Sequence, residues 1–99
     1  MVRVRWSRRA LNRIREIHDY IALDAPDTAR AYTETLIRST DRLVMMPLSG
    51  RVVPEFEQEN IREVIKGSYR IVYRVISDTQ VIVLTVFHSS QLLHPSDII

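Results

Sequence analysis

Cysteine is absent from the 99 residues of this chain. That removes disulfides, thiolate nucleophiles and every zinc site that needs a Cys ligand, so the expectation is a fold held by apolar burial alone in a reducing compartment. Glycine is nearly as scarce: Gly50 and Gly67 are the only two, which leaves no Gly-rich loop to cradle a phosphate. No stretch approaches the ~20 apolar residues of a bilayer-spanning helix. The opening Met1-Val2-Arg3-Val4-Arg5-Trp6 alternates charge with apolar side chains, where a secretory signal needs an unbroken apolar run. A cytoplasmic protein without membrane contact is expected. Of 14 basic residues only Lys66 is a lysine. The rest are arginines, whose planar fork of donors grips phosphate or carboxylate bidentately.

What is present is ordinary for one globular domain spanning 1–99: 45% hydrophobic and 26% charged residues, with a net charge of +2. The distribution of charge says more than its sum. Arg3, Arg5, Arg8, Arg9, Arg13 and Arg15 all precede the first acidic residue, Glu16, so the N-terminal end is a basic block.

Val2, Val4 and Trp6 alternate with Arg3 and Arg5, the period of a half-buried strand. Ser7 then offers an N-cap oxygen to a helix whose Ala10, Leu11, Ile14, Ile17 and Ile21 recur at three- and four-residue spacing and which ends near Leu23. Asp24-Ala25-Pro26 breaks it, because the residue before a proline leaves the helical region while proline itself fits a new first turn. The second helix carries Ala29, Tyr32, Leu36, Leu43 and Val44, and Pro47 with Gly50 closes it. So short a link makes an antiparallel hairpin. Beyond Gly50 the period changes. Val52-Val53-Pro54 reads as an edge piece, residues 55–60 as an acidic loop, and Ile61–Lys66 and Tyr69–Ile76 as strands joined by a Gly67-Ser68 turn. Val81–Phe87 is almost wholly apolar, as a strand covered on both faces should be. Residues 88–99 carry no clear period and read as a tail or short helix. The fold class is therefore α+β: an N-terminal strand, then a helical hairpin on one face of three or four antiparallel strands.

Several runs together resemble one family: Trp6-Ser7 opening a helix, Tyr20-Ile21-Ala22 before Asp24-Ala25-Pro26, Pro47-Leu48-Ser49-Gly50-Arg51, Arg62-Glu63-Val64, Tyr69-Arg70-Ile71-Val72-Tyr73 and Val86-Phe87-His88. In this order and spacing they resemble the RelE/ParE toxins of bacterial type II toxin-antitoxin modules, over nearly the whole chain. The resemblance implies a small cytoplasmic toxin in a hetero-oligomer with a cognate antitoxin, and it implies no cofactor. Within that superfamily ParE-like members inhibit DNA gyrase, whereas RelE-like and YoeB-like members cleave mRNA on the ribosome. The Gly50-Arg51 and Arg62-Glu63 pairs, the long helical hairpin and the near absence of lysine resemble the ParE side.

For the nuclease alternative, the resemblance to YoeB-type members nominates Glu55 as general base, Arg70 as phosphate clamp and His88 as acid. Each has a plainer reading: Glu55 in a solvated acidic loop with Glu57 and Glu59, Arg70 paired with a carboxylate such as Glu63, and His88 satisfied at a strand end. Register separates the two, since residues directly opposite on antiparallel strands share a face. An even connecting loop sets Tyr69, Ile71, Tyr73 and Val75 opposite His88, Val86, Leu84 and Ile82, which leaves Arg70 on the other face from His88. Hydrophobic matching favours that register. His88, His94 and Asp97 lack the spacing of a metal site, and no metal is expected. For the antitoxin, apolar residues beyond one core stripe, Ile37 and Val44, with Arg9, Arg13 and Arg38 as rim contacts and an open sheet edge near Val52–Pro54, suggest a seat along the Ser7–Met46 hairpin for an amphipathic segment that folds on binding.

Overall fold

A computed structural model describes Met1–Ile99. Its elements are β1 (Arg3–Trp6), α1 (Arg8–Ala22), α2 (Pro26–Arg38), β2 (Arg51–Val52), β3 (Ile61–Lys66), β4 (Tyr69–Ser77) and β5 (Gln80–His88), with 3-10 turns at Asp41–Val44 and Pro95–Ile98. The strands form one sheet in the order β1-β5-β4-β3-β2. β2, β3, β4 and β5 are antiparallel neighbours, while β1 joins β5 in parallel. The four strands after the hairpin are antiparallel, as the sequence suggested, and the parallel addition of β1 makes the sheet five-stranded and mixed.

Ser7 ties the first helix to the sheet. Its Oγ accepts the Ala10 amide at 3.0 Å and donates to the Leu84 carbonyl at 2.9 Å, while its own amide donates to the Val83 carbonyl at 2.9 Å. One side chain therefore caps α1 and fixes its start against β5. The second helix is shorter than its apolar pattern suggested and stops at Arg38. The reason is local: the Ser39 and Thr40 hydroxyls donate back to the carbonyls of Leu36 (2.5 Å) and Ile37 (2.8 Å), an alternative to continuing the helical ladder. Leu43 and Val44 consequently sit in a separate 3-10 turn, with Leu43 still fully buried.

Two apolar clusters lie on opposite faces of the sheet. On the helical face Ala10, Ile14, Leu36 and Leu43 pack against Val64, Ile71, Tyr73, Val81, Val83 and Val86. On the other face Val53, Ile61, Val72, Phe87, Leu93 and Ile98 gather beneath the 53–60 loop and the C-terminal segment. This second cluster explains why β5 is apolar on both sides. The C-terminal residues are a strap across the sheet, ending in a 3-10 turn with a reciprocal His94–Asp97 capping box.

Candidate functional site

The β3–β4 and β4–β5 registers decide what the nominated residues can meet. Tyr69 stands opposite His88 and Ile71 opposite Val86, as the even register required. Beyond Val72 the pairing slips: Tyr73 faces Val83 and Val75 faces Val81, because Leu84 is an extra residue in β5. The slip keeps the apolar partners on the helical face. Arg70 pairs with Phe87 and lies on the strap face, away from His88. The exposed His88 ring packs edge-on against Tyr69 at 5.5 Å between centroids, and its Nδ1 lies 2.7 Å from the Ser90 hydroxyl.

Arg70 is the centre of a buried chain of alternating charges. Its Nε donates to Glu63 Oε1 at 2.6 Å, and its Nη1 and Nη2 donate to the two oxygens of Glu55, each at 2.7 Å. The other Glu63 oxygen accepts Arg51 Nε at 2.6 Å. Side-chain exposure is 6% for Arg70, 0% for Glu63 and 18% for Glu55. The strap is wired into the same chain: the Leu93 amide donates to Glu55 Oε2 at 3.0 Å, and Arg70 Nη1 reaches the Gln91 carbonyl at 3.3 Å. Five polar contacts around one guanidinium and its bidentate partner satisfy groups that would otherwise be costly to bury.

The electrostatics follow from that geometry. The Arg70 hydrogen bonds pull the Glu55 carboxyl from its ordinary 4.5 down to about 2, against desolvation, with the Leu93 amide helping. The Arg70 guanidinium is held still more firmly protonated, first by Glu55 and then by Glu63, again against desolvation. A carboxylate so stabilised is a poor proton acceptor near neutral pH. Of the three residues nominated for RNA cleavage, Glu55 and Arg70 meet and neutralise each other, and His88 stands on the opposite face.

Sequence reasoning anticipated an Arg70–Glu63 pair but missed Arg51 and the strap. The available signal was the alternation Ile61, Glu63, Ile65, which puts a carboxylate in a row with apolar neighbours. Arg62 on the other side of β3 pins the preceding loops, donating to the carbonyls of Leu48 (3.2 Å), Gly50 (3.0 Å) and Glu59 (2.9 Å). Gly50 is there for space: a Cβ would lie 2.6 Å from both the Glu63 carbonyl and the Tyr73 hydroxyl, which accepts the Gly50 amide at 3.0 Å and donates to the Pro47 carbonyl at 2.7 Å.

The nominated partner residues do not share one patch. Ile37 and Arg38 are exposed at the end of α2, and Val44 is half-buried in the 3-10 turn that follows. Arg9 and Arg13 instead face the strap. Arg9 Nη1 donates to the carbonyls of Ser96 (3.2 Å) and Asp97 (2.6 Å), and the Arg13 guanidinium lies 5.0 Å over the Phe87 ring. The edge near Val52–Pro54 is also less open than expected, since Val53 is buried and its amide donates to the Ile61 carbonyl. No group of His, Asp or Glu side chains is arranged to hold a metal ion.

Two helices packed on a five-stranded, mostly antiparallel sheet match the fold of ParE and RelE structural neighbours. The family model described as the ParE toxin of the type II toxin-antitoxin system parDE matches residues 4–93, and the chain belongs to that family. It is 36% identical over 91 residues to the Sinorhizobium fredii protein named "Putative toxin Y4kP", covering 90% of each chain. Its fold is similar to a chain of the chromosomal ParDE system of P. aeruginosa, with a TM-score of 0.73 and 18% identity over 89% of this chain and 96% of that one. A chain of the RelBE2 toxin-antitoxin complex of Mycobacterium tuberculosis is similar at a TM-score of 0.55 and 22% identity, covering 88% and 96%.

Proposed function

We propose that this toxin acts by inhibiting DNA gyrase, in the cytoplasm, and is neutralised by a cognate antitoxin in a hetero-oligomer. The observation that carries the reading is the state of Arg70. Both carboxylates within its reach are spent on it, and Glu55 at about 2 is too weak a base for the 2′-hydroxyl of RNA. Membership of the ParE family supports the same reading. No helix is long and apolar enough to cross a membrane.

The antitoxin seat that fits the surface is the end of the second helix and the segment after it. Ile37, Met45, Met46 and Leu48 are exposed there beside Val44, and Arg38 supplies a rim charge. An amphipathic segment with acidic flanks suits such a patch. Its apolar contacts would carry the affinity and the rim charge mainly the association rate, so added salt slows binding more than it speeds release.

The deciding experiment is DNA supercoiling by purified gyrase with the folded toxin added, run beside primer extension on translated mRNA. Loss of supercoiling with no new 5′ ends is expected. Full supercoiling together with new 5′ ends that disappear in Arg70→Ala would establish the mRNA endonuclease instead.

A further inference from the structure

The basic block at the start of the chain has no part in the Arg70 site, yet the fold gathers much of it on one wall. Arg8, Arg9, Asn12, Arg13 and Glu16 of α1 face Ser96 and Asp97 of the strap across an open groove of about 580 Å³. Arg8 and Asn12 are one helical repeat apart, as are Arg9 and Arg13, so the side chains form two adjacent rows. The groove carries an excess of positive charge and little direct ion pairing. The lining sets three arginines against the carboxylates of Glu16 and Asp97. Arg8 makes no ion pair or side-chain hydrogen bond, Arg13 meets Glu16 only at 3.4 Å, and Asp97 pairs with none of the three. Arg9 engages a single nitrogen, through which it fixes the opposite wall. α1 also has no acidic residue in its first turn, so the positive end of its dipole adds to the field.

We propose that this groove docks on the phosphodiester backbone of duplex DNA. Three features select that occupant. Arginine forks match phosphate oxygens two at a time. No hydrophobic residue lines the groove, so an amphipathic peptide would find no seat for its apolar anchors. Nor does any aromatic ring line it, which removes the stacking platform that single-stranded nucleic acid binders use. A duplex presents one negative charge per ~1.7 Å of axis and needs neither. Contacts of this kind are independent of sequence. The groove would hold the toxin against DNA that gyrase is handling, which extends the proposed function. Its test uses DNA alone, so either reading can fail without the other.

The experiment is fluorescence anisotropy of a labelled mixed-sequence duplex of ~20 base pairs titrated with the full chain. Three phosphates neutralised by Arg8, Arg9 and Arg13 give a slope of log K against log salt of about −2.7. Raising salt from about 50 to about 200 mM therefore weakens binding about 40-fold. The double variant Arg8→Gln/Arg13→Gln should lose about 2 units of that slope, with thermal unfolding showing that it stays folded. Arg30→Gln, on α2 and paired loosely with Glu34 at 3.9 Å, should bind as the parent does. A slope near zero, or a folded double variant that binds like the parent, overturns the proposal. So does single-stranded RNA of the same length binding more tightly than the duplex, or poly-glutamate displacing the duplex at equal charge concentration, which would point to an acidic protein instead.

Discussion

The two faces of the sheet are built on different physics. Under the helices Ile14, Leu36, Leu43, Ile71, Val83 and Val86 pack into an apolar cluster, and neither of the two buried charged residues, Glu63 and Arg70, lies on that face. Under the strap, six buried apolar residues share the face with a buried Arg70 and a fully buried Glu63. Helices bring their own backbone hydrogen bonds, so they need only an apolar stripe to dock. The strap is irregular and must satisfy its amides and carbonyls externally. Glu55 and Arg70 do that for Leu93 and Gln91, which is why the carboxylate–guanidinium chain lies on this side of the sheet, while on the other side the largely buried Arg62 serves the loop carbonyls of Leu48, Gly50 and Glu59.

The contrast is tested most severely by removing the central cation. Arg70→Met leaves Glu55 without a cation and the fully buried Glu63 with Arg51 alone, and should cost about 3–5 kcal/mol in urea unfolding. On the helical face Leu36→Ala should cost a comparable ~2–5 kcal/mol through its cavity. The two differ in character. The Leu36→Ala loss should barely change with pH, whereas the Arg70→Met loss should shrink in acid as the carboxylates take up protons.

Glu55 sharpens the same comparison. Its folded value of about 2 lies below its ordinary 4.5, so its contribution is complete above about pH 4.5 and is lost progressively as the pH falls towards 2. The difference corresponds to about 3 kcal/mol. Glu55→Gln should therefore be much less stable than the parent at pH 7 and nearly equal to it at pH 2, as read from paired denaturation curves. A constant gap across that range would mean that the pair contributes through packing rather than charge.

Smaller effects come from steric fit. Gly50→Ala puts a methyl group against the Glu63 carbonyl and the Tyr73 ring and should destabilise by about 1–3 kcal/mol, measured as a lowered urea midpoint. Thr85 is the mildest case. It is fully buried on the strap face beside the β5 slip, and its hydroxyl has no hydrogen-bond partner. Thr85→Val should be neutral or stabilising by up to ~1 kcal/mol, since it removes a desolvated polar group and leaves the shape nearly unchanged.

Much of the frame was legible in the chain because it follows from periodicity and caps. Ser7 and Pro26 mark the helix starts, β3 spans Ile61–Lys66 as read, and Gly67, at φ +57°, forms the hairpin turn. What was not legible depends on atoms far apart in sequence. Ser39 and Thr40 look like tolerable helix residues until their hydroxyls are seen turning back on Leu36 and Ile37. The parallel docking of β1 on β5 needs the whole sheet. The strap has no period because its order comes from Glu55, 38 residues away from Leu93. The expectation that apolar burial alone holds the fold fails on this face, where residues 55, 63 and 70 carry charge into the interior. For the site, the even register was read correctly near His88, but the Leu84 slip has no signature in a run of uniformly apolar residues.

The most direct test of the latch is an NMR titration of the Glu55 side-chain carboxyl in the intact chain, followed from neutral pH into acid. A midpoint near 2, accompanied by loss of protection at the Leu93 amide as the carboxyl protonates, is what a carboxylate committed to Arg70 must show. A midpoint at or above the ordinary 4.5 would contradict it and leave Glu55 available as a base.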